Sequence, residues 1–257
     1  MGFGVPSRHN PRLQQLVDAV NADAELLQWW RCANVNAMDR AGMSDHGQVH
    51  VRIAANAALR MLRLLAEAGV QPGVVLNHGL TADDAEVVVV LAACLHDVGM
   101  AITRSDHERH SLVLAAPKAR QLLTGIYADP ALTVVVCEAL HAIVAHHWDE
   151  TCLTIEAGVV KVADALDMTE GRSRIPFEAG QMNIHSISAQ AIEAVAIEKG
   201  SERPVRVAIT MSNSAGIYQV DELLKRKLLN SSLAPYVEIV ASVVGETERR
   251  LLQVYRY

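Results

Sequence analysis

From residue 11 to about residue 169 the apolar positions recur at helical spacing. Residues 11–39 carry that period in two segments, with Asn21 as the candidate cap between them and Trp29-Trp30 on the second, where core packing is the expected role. From His46 to Leu65 the series Val51, Ile53, Ala54, Ala58, Leu59, Leu62, Leu65 predicts an amphipathic helix that ends before Gly69. Thr81 followed by Asp84 predicts a capping-box start for a helix through VVVVLAACL (87–95), apolar nearly all round and therefore central and buried. Further helices are predicted over about 107–124, stopped at Gly125, over about 130–147, with Pro130 in its first turn, and over about 153–169, stopping near Gly171. Pro176 marks a boundary after which the texture changes. AIEAVAIEKG (191–200), VRVAITMSN (205–213), VEIVASVVG (237–245) and LLQVY (251–255) are strand-like, and VDELLKRKLLN (220–230) is helical. The pattern predicts a mainly α chain, all-α over residues 1–175 and a small C-terminal α+β domain over 176–257.

Ionisable residues fall on this pattern where a buried helix ordinarily has none: His46 and His50, His96-Asp97, His107, His146-His147 and Asp164. An unpaired ionisable group on an apolar helical segment costs several kcal/mol, and a bound metal removes that cost. Neutral imidazoles and carboxylates are ligands that first-row divalent metals prefer, and a carboxylate can bridge two ions, so the set reads as a mono- or dinuclear metal site. His46 and His50, four apart, share a helix face if their segment is helical. LAACLHDVGM (91–100) puts His96-Asp97 where the long apolar helix ends, just before Gly99. KVADALDM (161–168) puts Asp164 four residues after Val160, on the side expected to face the core.

The order His, His-Asp, Asp resembles the signature of the HD superfamily of metal-dependent phosphohydrolases. His50, followed by VRIAA, matches the first His, His96-Asp97 the doublet and Asp164 the final Asp. His46 matches an extra His found four residues earlier in the cyclic-nucleotide phosphodiesterases. His107, with the small Ser111 four residues on, and His146 match the two further histidines of dinuclear members. The phrases SDHGQVHV, GVVKVADALDM and GRSRIPFEAG are similar to an uncharacterised branch found in archaea and some bacteria, over nearly the whole chain. The resemblance implies an HD-type helical bundle ahead of the α+β unit and one or two divalent ions, Fe or Mn first, with Mg, Co, Ni or Zn as alternatives.

On that resemblance, Asp97 is the candidate bridging carboxylate, with His50, His96 and Asp164 on one ion and His107, His146 and His147 toward a second. Ions so held make a bound water nucleophilic near neutral pH, which suits hydrolysis of a nucleotide or other small phosphoester. His46 is either a proton donor to the leaving alkoxide or a histidine bonded to backbone near a helix start. Arg104, Arg172 and Arg174 are candidate phosphate-binding residues, and Lys161 is either a weaker candidate or the i,i+3 partner of Asp164. His110 reads as a surface residue, His141 as structural, His185 as unrelated to the site, Asp167 as a weaker alternative to Asp164, and Lys225-Arg226-Lys227 as a solvated helix face. Two departures matter: the doublet reads HDVGM, with Met100 where many relatives carry lysine, and Trp-Asp-Glu-Thr-Cys replaces the GYP segment of cyclic di-GMP phosphodiesterases, which disfavours that activity.

With 257 residues the chain can bury a sizeable core, and its net charge of −6 argues against nucleic acid as a partner. Cys32, Cys94, Cys137 and Cys152 form no CxxC pair and read as reduced core residues. The first residues lack an apolar signal region and the longest apolar run is too short to span a bilayer, so a soluble cytoplasmic protein with no membrane partner is expected, with a homo-oligomer left open. Two functions compete with phosphoester hydrolysis: a di-iron oxygenase built on the same ligands, and a non-catalytic regulatory protein whose C-terminal domain senses a ligand.

Overall fold

The computed structural model describes residues 2–169, 188–244 and 254–256. Helix α1 (Pro11–Ala22) carries proline in its first turn and is capped by Asn10, whose side chain accepts from Leu13 N. The cap between the first two helices is Asp23, which accepts from Leu26 N at the start of α2 (Ala24–Asn34). Asn21, predicted for that role, instead exchanges hydrogen bonds with the backbone of Phe3 and so ties down the N-terminal segment. A π-helical turn, Val35–Arg40, extends α2.

Helix α3 (Gln48–Glu67) begins two residues later than its apolar pattern predicts. Asp45 explains the delay, because its carboxylate accepts from Gly47 N and His50 N and holds residues 45–47 in a turn ahead of the helix. A short helix, α4 (Gly73–His78), leads to α5 (Ala82–Leu95), which has the predicted capping box between Thr81 and Asp84. Its residues 84–95 are all buried, and α5 packs against α1, α3, α7 and α8 as the central helix. Asp84 does more than cap: Oδ1 accepts from Arg12 and from the Tyr127 hydroxyl, joining α1, α5 and the turn after α6.

Helices α6 (His107–Leu122), α7 (Ala131–Ala145) and α8 (Ile155–Leu166) complete the bundle, each ending two or three residues short of its predicted limit. Cys94 and Cys152 are buried, but Cys32 and Cys137 lie on outer helix faces, a correction to their reading as core residues; all four are free thiols. Strands β1 (Ile192–Lys199), β2 (Val205–Met211), β3 (Val237–Val243) and β4 (Val254–Arg256) form a sheet in that order. The β1/β2 and β3/β4 pairs are antiparallel, while β2 and β3 run parallel with Val207 opposite Ile239. A parallel pair needs a crossover, and here it contains helix α9, a π-helical stretch Gln219–Lys225 running into Arg226–Leu229. Every second residue of β2, from Val205 to Met211, is buried; the sheet packs on α3 and α9 packs on α8, so strand and helix residues share one apolar cluster. No described helix is long and apolar enough to cross a membrane.

Burial pushes the Asp84 carboxyl up, but its bonds to Tyr127, Thr81 and Arg12 outweigh this and hold its pKa below the ordinary 3.8. A depressed carboxylate stabilises the fold fully above its unfolded pKa and ceases to do so as the pH falls through the folded value. Asp84→Asn should therefore cost about 1–3 kcal/mol at neutral pH, with the gap to wild type shrinking below the ordinary carboxylate range. Denaturant unfolding at pH 7 and pH 3 checks this, and a gap of equal size at both would refute it.

Candidate metal centre

Helix ends from five segments meet at one place. His96 stands at the C-cap of α5 and His146 at the C-cap of α7, where last-turn carbonyls lack helical donors. Each imidazole supplies one: His96 Nδ1 lies 2.9 Å from Ala93 O, and His146 Nδ1 lies 2.6 Å from Ile143 O. Both rings are thereby fixed with Nε2 directed away from their own helix. His50 comes from the first turn of α3, His107 opens α6 and Asp164 lies in the last turn of α8. Asp106, at φ 52°, turns the chain left-handed immediately before His107, a conformation that Asp tolerates better than most residues.

The turn after the doublet, Val98–Ala101, lies against the start of α6. A Cβ at Gly99 would come within 2.0 Å of His107 O, so only glycine permits this approach. Ser111 closes the contact, its Oγ donating to His96 O (2.6 Å) and accepting from Gly99 N (2.9 Å). The small residue four positions after His107 thus holds the doublet and α6 together.

Asp97 is at the centre. Its Oδ2 lies 3.4 Å from His50 Nε2 and 3.3 Å from His96 Nε2, while its Oδ1 lies 3.1 Å from His107 Nε2 and 3.6 Å from His146 Nε2. Asp164 Oδ1 faces the first pair, 3.2 Å from His50 Nε2 and 3.7 Å from His96 Nε2. The other two rings are also held from behind, His50 Nδ1 by Asp167 Oδ2 at 2.7 Å and His107 Nδ1 by Glu108 Oε2 at 3.1 Å and the Arg104 carbonyl at 3.2 Å. Four imidazoles anchored through Nδ1 and converging through Nε2 on two carboxylates make an arrangement suited to divalent metal. Overlapping triads of ligand atoms, His50-His96-Asp97, His96-His146-Asp164 and Asp97-His107-His146, are each close enough to hold an ion.

Electrostatics support the same fit. Burial drives the His96 imidazolium toward deprotonation, yet Asp97 and Asp164 outweigh it and raise its pKa to about 9. Burial and the neighbouring His96 charge hold His146 well below its ordinary value. Asp97 and Asp164 stay ionised despite burial, Asp97 through the surrounding imidazoles and Asp164 through Lys227 first and then His50 and His96.

Of the predicted residues, His50, His96, Asp97, His107, His146 and Asp164 come together. His147 stands at the rim, with Nδ1 bonded to Asp149 and Nε2 4.0 Å from Glu108. His46 is buried in the loop before α3, not one turn back on the same helix, because Asp45 delays the helix start; its Nδ1 is 2.7 Å from Ser44 O and its ring 5.7 Å from that of His50. Arg104 is exposed beside His107, with Nη1 2.8 Å from Nδ1. Arg172, Arg174 and His185 lie outside the described residues. His110 is only partly buried and belongs to none of the ligand groups, and His141 accepts from Leu153 N, a structural contact.

Two expectations are corrected. Lys161 does not pair with Asp164: it is fully buried and donates to the carbonyls of Glu150 and Asn230. Lys225-Arg226-Lys227 is not simply a solvated face, because Lys227 turns inward and pairs with Asp164 Oδ2, while Lys225 and Arg226 make i,i+4 pairs with Asp221 and Glu222. Sequence reasoning missed Lys227 and Glu108; the first has no local signal, whereas an acid directly after His107 was a readable one. A cavity of about 580 Å3 opens beside Asp97, with His46, Arg104, Trp148 and Lys227 among its walls.

Comparison with known proteins agrees with this geometry. The HD domain family model matches residues 55–169, which takes in the doublet, His107, His146 and Asp164 and begins just after His50. The chain is also 37% identical over 233 residues to an uncharacterized protein of Methanocaldococcus jannaschii, covering 91% of this chain and 90% of that one. Bundle, doublet and match lead to one conclusion: the chain belongs to the HD superfamily of metal-dependent hydrolases, in a branch whose relative is uncharacterised.

Proposed function

We propose that this protein is a metal-dependent phosphohydrolase that cleaves a nucleotide or another small phosphoester. The observation that carries the reading is Asp97, whose two oxygens face two different pairs of anchored imidazoles. His50, His96 and Asp164 with Asp97 Oδ2 would hold one divalent ion, and His107 and His146 with Asp97 Oδ1 a second, Fe or Mn ahead of Mg, Co, Ni or Zn. Ions there would supply Lewis acidity and a water deprotonated near neutral pH, suited to attack at phosphorus.

The chain's own residues supply the remainder. Asp167 and the carbonyls of Ala93 and Ile143 keep the imidazoles in the tautomer that leaves Nε2 a free lone pair. Glu108 and Arg104 hold the His107 ring in place through contacts at its Nδ1. His46 lines the cavity with its Nδ1 2.7 Å from the Ser44 carbonyl, and as an imidazolium it would deliver a proton to a leaving alkoxide. Arg104, at the wall, meets phosphate oxygens, and Arg172 and Arg174 are assigned the same task on sequence grounds. The remaining six-ligand set needs no contribution from His147, which at the rim is better placed to touch substrate.

Anaerobically purified protein, assayed with each metal against nucleoside mono-, di- and triphosphates, cyclic dinucleotides and dinucleoside polyphosphates, should release phosphate or a phosphomonoester from at least one class. Silence across the panel, or oxygen uptake by an iron form in its place, would overturn the reading. Asp97→Ala should lose both ions while His146→Ala loses mainly one, read by elemental analysis after dialysis; full metal content in Asp97→Ala contradicts the bridge. His107→Ala should lower bound metal and His110→Ala should leave it unchanged, and the reverse pattern would transfer the ligand to His110.

A further inference from the structure

We propose that Lys227, carried on α9 from the C-terminal part of the chain, is the residue that positions the substrate's phosphate over the metal cluster. This rests on the phosphohydrolase reading. Lys227 pairs with Asp164 Oδ2, the oxygen opposite the one that faces His50 and His96, so its ammonium stands directly beside the ligand set. Among the described residues Asp164 is its only hydrogen-bond acceptor. An ammonium has three donors, which leaves two for whatever enters the cavity that Lys227 lines.

The placement is built. Asn230, at the end of α9, donates through its side chain to Trp148 O, and its own carbonyl accepts from buried Lys161 and from Cys152 N. Ser232 Oγ donates to Thr154 O, and the next turn lies close against α8 at Gly158, where a Cβ would meet Ser232 Oγ at 2.6 Å. Lys227, one turn before Asn230, is thereby held at a fixed distance from α8 and the loop after His146.

Charge gives the physical need. The cavity wall includes Asp97, Glu108, Asp164, Asp167 and Glu222, a field that repels a phosphoester. Arg226 is engaged by Glu222 at the surface, and Arg104 is exposed at the far wall beside His107. Lys227 is the sheltered one, its side chain 17% exposed, and shelter strengthens a charge-assisted bond. An ion held by Asp164 would take over as its counter-charge and would leave the ammonium for phosphate oxygens.

The test is binding of inorganic phosphate to the Mn-loaded full-length protein by calorimetry, with metal content and melting temperature measured on each variant. Lys227→Met should retain metal and bind phosphate about 10- to 100-fold more weakly, the loss expected of one charge-assisted contact. KM for the best phosphoester should rise by a similar factor. Lys227→Arg should bind within a few-fold of wild type, and Lys225→Met, next to it but paired outward with Asp221, should be unchanged. Should Lys227→Met fail to fold, Lys227→Gln, which keeps a donor for Asp164, reads the same quantity. Wild-type phosphate affinity in a metal-replete Lys227→Met or Lys227→Gln overturns the proposal, as does phosphate loss that only tracks metal loss. Wild-type protein that binds phosphate through Lys227 yet hydrolyses no phosphoester sinks the hydrolase reading and leaves the assignment of Lys227 intact.

Discussion

A carboxylate largely withdrawn from water is tolerable only when donors or cations meet both of its oxygens, and the ends of the bundle helices are arranged to meet that demand at Asp97. The residue follows α5, the most buried helix, and keeps only slight exposure where it lines the cavity. Four imidazoles therefore come to it, from two helix starts and two helix ends. Helix termini suit this purpose because their unpaired backbone groups anchor a ring from behind, as Ala93 and Ile143 do. Removing the demand would remove the reason for Gly99 and Ser111, which exist to bring α6 within reach of the doublet.

The C-terminal unit is part of the same arrangement. Its sheet rests on α3, the helix that supplies His50, and its crossover helix rests on α8, which supplies Asp164. Parallel pairing of β2 with β3 makes a crossover obligatory, and that crossover is what carries Lys227 to the site. Lys161, buried at the join, spends its charge on two backbone carbonyls and so fastens the loop after His146 to the end of α9. A buried lysine used this way is a structural clamp, and burial lowers its pKa.

Membership of the HD superfamily of metal-dependent hydrolases accounts for the His/Asp cluster but names no substrate, since one fold and one cage serve many reactions. What distinguishes this chain is local. Met100 packs against Ala33 and Ala37 in a small apolar cluster, with its carbonyl held by Asn36, so the turn after the doublet presents no cation to the cavity. Positive charge reaches the cavity from α6's approach and from α9 instead, and exposed Trp148 at the mouth adds an apolar surface that a bare phosphate would not need.

The sequence by itself determined the helices and the histidines and aspartates that meet at their ends. A capping box, an all-apolar run and a doublet at its end are local signals, and α5 with His96-Asp97 follows from them. His107 with Ser111 was legible for the same reason, one helix face carrying both. Spacing failed where a side chain overrode periodicity: Asp45 took the amides that would have started α3 at His46, and Asp23 capped α2 in place of Asn21. Only the tertiary structure decided which lysine meets Asp164. Lys161 is three residues away in sequence yet is turned into the protein, whereas Lys227 is 63 residues away and arrives on a helix whose position depends on the crossover between β2 and β3. A hydrophobic period specifies which face of a helix is buried, but not which distant face it is buried against, and that second choice is made by packing.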